Sequence, residues 1–178
     1  MSTVPEFSRP IRLDTIGEGA FGLSVSADEG ERAALAGRFA LPGIALLEAD
    51  ATLKREGEAV LVEGRLRAVA TQSCVATGEP VPARVDEPFA LRFEPAGEGR
   101  PEDLELGEGD LDIIPYDGSA VDLGEAVAQS FALALDPFPR IADADMHLRA
   151  AGVLTEEEAE AARVAASPFA ALKRPADD

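Results

Sequence analysis

Gln72–Pro95 runs QSCVATGEPVPARVDEPFALRFEP, with the chain's one cysteine near its start, a Gly-Glu-Pro turn signal at Gly78, and then a strand pattern. Val85, Phe89, Leu91 and Phe93 alternate with Asp86, Pro88, Ala90 and Arg92. That period of two is expected of a strand with one face on a core and the other toward water. A hairpin turning at Gly78 follows. Upstream, Ile44–Lys54 and Ala59–Ser73 read as two long strands joined at Arg55-Glu56-Gly57-Glu58, a polar connection suited to an antiparallel hairpin. With Val81–Phe93 they make an antiparallel meander. The expected fold class is α+β: a meander sheet, partly curled or barrel-like, with one or two flanking helices and a helical or disordered C-terminal arm.

Working outward, Ser26-Ala27-Asp28-Glu29 reads as a capping box opening a helix to about Arg38. Its apolar face is thin, mostly Ala33, Ala36 and Phe39 with Leu35 to one side. Downstream, Asp122 caps a stronger helix with Glu125 three residues on. Leu123, Ala126, Val127, Ser130, Phe131, Ala134 and Leu135 supply its i, i+3, i+4, i+7 stripe, and Pro137 and Pro139 stop it. This helix is expected to cover the inner sheet face at Phe89, Leu91 and Phe93. Val4–Leu13 reads as a short edge strand limited by Pro5 and Pro10. Leu111–Tyr116 reads as one more short strand. Residues 1–140 form a single α+β domain on this reading, and 141–178 an acidic arm with a helix opening at Thr155 and a closing Ser-Pro-Phe-Ala-Ala-Leu segment.

Composition sets the outer bounds. The 178 residues are 46% hydrophobic and 28% charged, enough for one good core. No run of about eighteen apolar residues exists, and the first residues lack a basic end followed by an apolar stretch, so a cytoplasmic protein without a membrane span is expected. Sixteen Lys and Arg against 34 Asp and Glu give a net charge of −18. Such a chain repels polyanions at long range, which disfavours a broad phosphate-gripping surface and favours basic protein partners. The charge is uneven: residues 1–99 carry 10 basic and 16 acidic side chains, residues 100–178 carry 6 and 18. Between Glu98 and Asp117 stand eight carboxylates and only Arg100. That block reads either as solvated chain or as a mimic of phosphate charge that docks a basic protein.

Enzyme signals are poor. Gly17-Glu18-Gly19-Ala20-Phe21-Gly22 matches the glycine-rich loop that covers nucleotide phosphates in protein kinases, but the valine is displaced to Val25 and the other kinase motifs are absent, so it reads as a flexible turn. The lone His147 has no cysteine or second histidine near it in sequence. Cys74 has no basic neighbour in sequence and reads as a buried or half-buried, inert thiol. No catalytic, metal or cofactor residue is assigned. Strand parity puts Arg65 and Arg67, and likewise Arg84 and Arg92, on the face opposite the core. They either converge into a basic patch or pair with Glu63, Asp86 and Glu87 as ordinary cross-strand partners. Phe169 and Leu172, at i, i+3 spacing before Lys173 and Arg174, suit either a disordered end or an anchor in a groove.

One order of parts is more specific than any of these pieces. A strand ending in Gln-Ser-Cys, a Gly-Glu-Pro-Val turn, a Phe-Ala-Leu-Arg-Phe strand, an acidic loop, Val-Asp-Leu-Gly-Glu-Ala opening a helix, a Pro-Phe-Pro end and a final Ser-Pro-Phe-Ala-Ala-Leu-Lys follow one another. This series, over most of residues 25–140 plus the tail, resembles the YceD family of large ribosomal RNA subunit accumulation proteins. Many members carry a second cysteine three residues after the first, where this chain has Thr77, so no Cys-x-x-Cys site transfers. The resemblance implies a part in ribosome biogenesis without an established catalytic activity. Joined to the charge argument, it yields a non-enzymatic assembly factor that binds a basic ribosomal or assembly protein. The alternative is direct ribosomal RNA binding through Arg65, Arg67, Arg84 and Arg92. Cys74, Phe169 and Leu172 are further candidate contacts.

Overall fold

The computed structural model describes residues 5–17, 19–96 and 112–166. Residues 97–111, which hold most of the acidic block, and the tail bearing Phe169 and Leu172 lie outside the described residues. The strands are β1 (Pro10–Arg12), β2 (Phe21–Ser26), β3 (Gly43–Glu56), β4 (Ala59–Ser73), β5 (Pro80–Pro95), β6 (Asp112–Tyr116) and β7 (Ala120–Asp122). The helices are α1 (Glu29–Arg38), α2 (Leu123–Ala134), α3 (Ala144–Ala150) and α4 (Glu156–Ala165). The fold is α+β. Strands β2-β3-β4-β5-β6 form one five-stranded sheet, and β1 pairs with β7 in a two-stranded ribbon.

The meander is as expected at its centre. β3 and β4 turn at Gly57, whose φ of +66° lies where glycine carries no steric penalty. β4 and β5 stay in register from Val60↔Phe93 to Ser73↔Pro80. Two features correct the expectation. β6 runs parallel to β5, Leu91 opposite Asp112; the stretch from 96 to 111 exceeds the dozen or so residues that a parallel crossover needs. The sheet is also open, with β2 and β6 as margins, and the described pairing does not close it into a barrel.

β2 replaces what read as a flexible turn after Gly17. Phe21, Leu23 and Val25 pair with Leu53, Ala51 and Ala49, which extends the core face by one strand. Because β2 runs to Ser26, the helix start moves two residues on. Asp28, not Ser26, caps α1, accepting from the Glu31 amide while the Glu31 side chain accepts from the Asp28 amide. The buried residues of α1 are Leu35 and Ala36, and Ala33 is exposed. Among the described residues of the N-terminal segment, only Pro10–Arg12 forms a strand.

One core lies between the sheet and α2. Leu47, Leu53, Val60, Val62, Leu66, Leu91 and Phe93 meet Leu123, Val127 and Phe131, all buried. Burying side chains of this size contributes about 1.5–3 kcal/mol each. Phe39 from the end of α1 meets Phe131 edge-on at 6.1 Å. Phe7, wholly buried, anchors the N-terminal segment against α2 so closely that a Cβ on Gly124 would overlap the Phe7 carbonyl oxygen. Two arginines lock this corner. Arg9 grips Glu31 through both guanidinium nitrogens at 2.6 and 2.8 Å, and Arg38 grips Glu125 at 2.8 and 2.7 Å and reaches Glu6 at 3.0 Å. α4, capped by Thr155 with Glu158, buries no residue.

Candidate functional site

The outer face of β3, β4 and β5 gathers the charged side chains that the register puts opposite the core. Its basic groups are Lys54, Arg65, Arg67, Arg84 and Arg92; its acidic groups are Glu48, Asp50, Glu56, Glu63, Asp86 and Glu94. Arg65 Nε donates to Asp86 Oδ1 at 2.6 Å. Arg67 donates from Nε to Glu48 at 2.8 Å and from Nη2 to Asp50 at 2.7 Å. Arg92 Nε donates to Glu94 at 2.7 Å, and Lys54 bridges Glu56 at 3.0 Å. Arg84, exposed and opposite Val69, makes no ion pair among the described residues. The Ser24 hydroxyl, then Arg67, hold the Asp50 carboxyl below the usual carboxylate range, and Arg65 does the same for Asp86.

The four arginines therefore share a face without forming a free basic patch. Arg65 takes the expected partner Asp86, whereas Arg67 turns to β3 instead of to Glu63 or Glu87. The exposed pairs are each worth about 0–1 kcal/mol, so they organise charge more than they hold the fold together. Across this face, charge nearly balances on a molecule whose net is −18.

Cys74 sits at the opposite end of β4, buried at the turn into β5. The Thr77 hydroxyl, and the backbone amides of Ile141, Ala76 and Thr77, bond its sulfur and pull the thiol down to about 7. The burial agrees with the sequence reading; the Thr77 hydroxyl acts most strongly on the thiol, and the Ile141 amide reaches it from beyond α2 in the chain. The Cys74 amide donates to Glu79 O at 2.7 Å and the Val75 amide to Pro139 O at 2.9 Å. Gln72 Nε2 donates to Asp136 O at 2.8 Å. The hairpin and the Pro137–Pro139 turn are thus stitched together. His147, half exposed, lies 3.4 Å from Asp143. Among the described residues no group of three or more His, Cys, Asp and Glu side chains could hold a metal ion.

A cleft of about 450 Å³ opens between β6 and α2, lined by Phe93, Ile114, Tyr116, Asp122, Glu125 and Gln129 among others. Its inner carboxylates are already engaged. Asp122 accepts from the Arg9 amide at 2.7 Å and from the Glu125 amide at 3.2 Å, and Glu125 is held by Arg38.

Residues 62–174 match the profile of the family described as large ribosomal RNA subunit accumulation protein YceD. The chain belongs to the YceD family. The YceD match begins inside β4, later than the residue 25 from which the resemblance was drawn, and it takes in Arg65, Arg67, Cys74, Arg84, Arg92, Phe169 and Leu172. β2, β3 and α1 precede the YceD-matched range. Searches of curated proteins and of solved structures found no significant match. No helix among the described residues is long and apolar enough to cross a membrane.

Proposed function

We propose that this chain is a cytoplasmic, non-enzymatic assembly factor that supports accumulation or processing of large-subunit ribosomal RNA by binding a basic ribosomal or assembly protein. The YceD family's description supplies the process. The observation that carries the protein-mediated mode is the pairing on the outer sheet face: Arg65, Arg67 and Arg92 are each engaged by a carboxylate on a molecule of net charge −18. An arginine must leave such a partner before it can neutralise a phosphate, and the surrounding negative field opposes that exchange. A basic protein gains from the same field.

The test is a pull-down and co-sedimentation at low salt. Ribosomal proteins or large-subunit precursor particles should travel with the chain, and recovery of neither overturns the proposal. Arg84 favours a second reading. It is exposed and carries no ion pair among the described residues, so it could seed a limited RNA contact beside Arg65 and Arg67. That reading requires affinity for a large-subunit RNA fragment that falls steeply with salt and weakens when Arg65 and Arg67 are replaced by Ala. The protein-mediated reading requires particle recovery to survive the same replacements.

A further inference from the structure

The open margins of the five-stranded sheet are not alike. The Cys74 amide donates to Glu79 O, so the odd-numbered residues of β5 bond to β4 and the even-numbered ones point their amides away. Pro80, Pro82 and Pro88 all occupy outward positions along the part of β5 that β6 does not reach. Each removes one donor from that margin. On β6, the Tyr116 carbonyl accepts from the Ala96 amide at 2.8 Å, so Tyr116 faces β5 and Pro115 faces outward, again without a donor. Proline at such places blunts pairing with another strand.

β2 carries no such guard. The Ala27 amide donates to Leu47 O at 3.0 Å, which fixes Phe21, Leu23 and Val25 as the residues bonded to β3. Gly22, Ser24 and Ser26 therefore point their backbone groups outward, and among the described residues only the Ser26 carbonyl is taken, by Arg9 Nη2 at 3.1 Å. The strand FGLSVS has no proline and no charge. Phe21 is 39% exposed, leaving apolar surface at the margin on the core side. Charge beside the strand is mixed: Arg12 takes Asp14 and Arg9 takes Glu31, while Asp28 and Glu29 at the start of α1 make no ion pair among the described residues, on a molecule of net charge −18. An exposed edge supplies main-chain bonds, and the alternate side chains of the incoming strand supply selectivity.

We propose that the β2 margin accepts an extended Lys- and Arg-rich peptide segment of a basic partner as an added strand. The inference rests on the proposed function, naming the contact by which the basic partner is held. The backbone of Gly22 and Ser24 and the Ser26 amide bond the incoming chain. Its apolar residues lie beside Phe21 and Leu23, and its basic residues answer Asp28, Glu29 and the net negative charge of the molecule. A second copy of this chain is the disfavoured occupant, because each copy carries −18 and self-pairing would bring two such charges together.

The probe is a capped peptide of about nine residues alternating Lys and Val, with a control of equal charge in which each Val is Pro. Amide hydrogen exchange of the full chain should slow by about tenfold or more at Gly22 and Ser24 with the first peptide and not with the control. Ser24→Pro removes an outward amide, as Pro82 does in β5, together with the hydroxyl bond to Asp50; it should weaken the alternating peptide by about tenfold or more, whereas Ser24→Ala, which loses the hydroxyl bond alone, should bind it as the original chain does. If Ser24→Pro fails to fold, the exchange measurement on the unaltered chain still decides. Equal binding of both peptides, protection elsewhere than β2, or protection of Gly22 and Ser24 by dimerisation without peptide each overturns the inference. Co-sedimentation with large-subunit particles separates the two levels. Absence of binding by the unaltered chain sinks the proposed function, whereas equal binding by the unaltered chain and Ser24→Pro sinks the β2 contact alone.

Discussion

Replacing Gly64 by Ala probes the register on which the outer face depends. Gly64 lies opposite Ala51 on β3 and Phe89 on β5, on the core side of β4. A Cβ added there would overlap the Asp50 carbonyl oxygen and stand 2.8 and 2.9 Å from two ring carbons of Phe89. The ring can tilt, but the Asp50 carbonyl belongs to a continuous β3–β4 ladder and yields only if the strand moves. Overpacking of this kind costs about 1–3 kcal/mol, while removing glycine's freedom from the unfolded chain returns about 0.4–1 kcal/mol. A net loss of about 1–2 kcal/mol is expected, which lowers Tm by about 2–8 °C for a chain of this length. Thermal melts and urea titrations monitored by circular dichroism measure it, with an unchanged urea slope showing that only stability moved. Combining Gly64→Ala with Phe89→Ala should relieve part of the clash, giving a coupling of about 0.5 kcal/mol or more between the two sites. A Gly64→Ala chain as stable as the original would mean that Asp50 and Phe89 do not meet at Gly64. The pairing of Arg65 with Asp86 and of Arg67 with Glu48 would lose its basis with it.

Asp122→Ala removes the cap of α2 together with the acceptor for the Arg9 amide and the Ser8 hydroxyl; a loss of about 1–3 kcal/mol is expected by urea titration, and a loss within error refutes the corner described here. Thr77→Val should raise the Cys74 thiol from about 7, read by the thiolate's ultraviolet absorbance. Because folding lowers this acid, its thiolate stabilises the fold above the unfolded thiol's value and that contribution is lost as pH falls through about 7, so Thr77→Val should flatten the gain in Tm from neutral to alkaline pH. Arg9 and Arg38 hold Glu31 and Glu125 below the usual carboxylate range. Their contribution is complete above that range and drains away as pH falls through the lowered values, so Arg38→Ala should make Tm less sensitive to acid than in the original chain.

The parts of this fold that were legible in the sequence are those where one chemical pattern had one solution. The alternation in Ala59–Ser73 and Val81–Phe93 allowed only one face inward, and Asp122 with the Leu123–Phe131 stripe allowed only one helix. β2 was missed although Phe21, Leu23 and Val25 alternate, because three nearby glycines and the displaced valine drew attention to a loop motif. Two overlapping frames, Ser26 with Glu29 and Asp28 with Glu31, offered the same capping chemistry, and only the strand running to Ser26 chose between them. The parallel sense of β6 depends on how the chain returns after Pro95, which no local pattern states. On the outer face, parity identified Arg65, Arg67, Arg84 and Arg92 as neighbours, but which carboxylate each would take is a matter of sheet register and side-chain reach. Thr77 was noted only as a missing second cysteine; its hydroxyl bond to Cys74 needed the turn to be seen.

α2 closes the core from a position well after the meander in chain order. A ribosome making this chain therefore releases β2 through β5 with the greasy side formed by Leu47, Leu53, Val60, Val62, Leu91 and Phe93 uncovered, and the lid carrying Leu123, Val127 and Phe131 emerges later. During that interval the nascent sheet is a sticky, half-finished object exposed to aggregation or chaperone capture. A product ending before Leu123 never receives its lid, so shortened versions must retain α2 to stay dispersed.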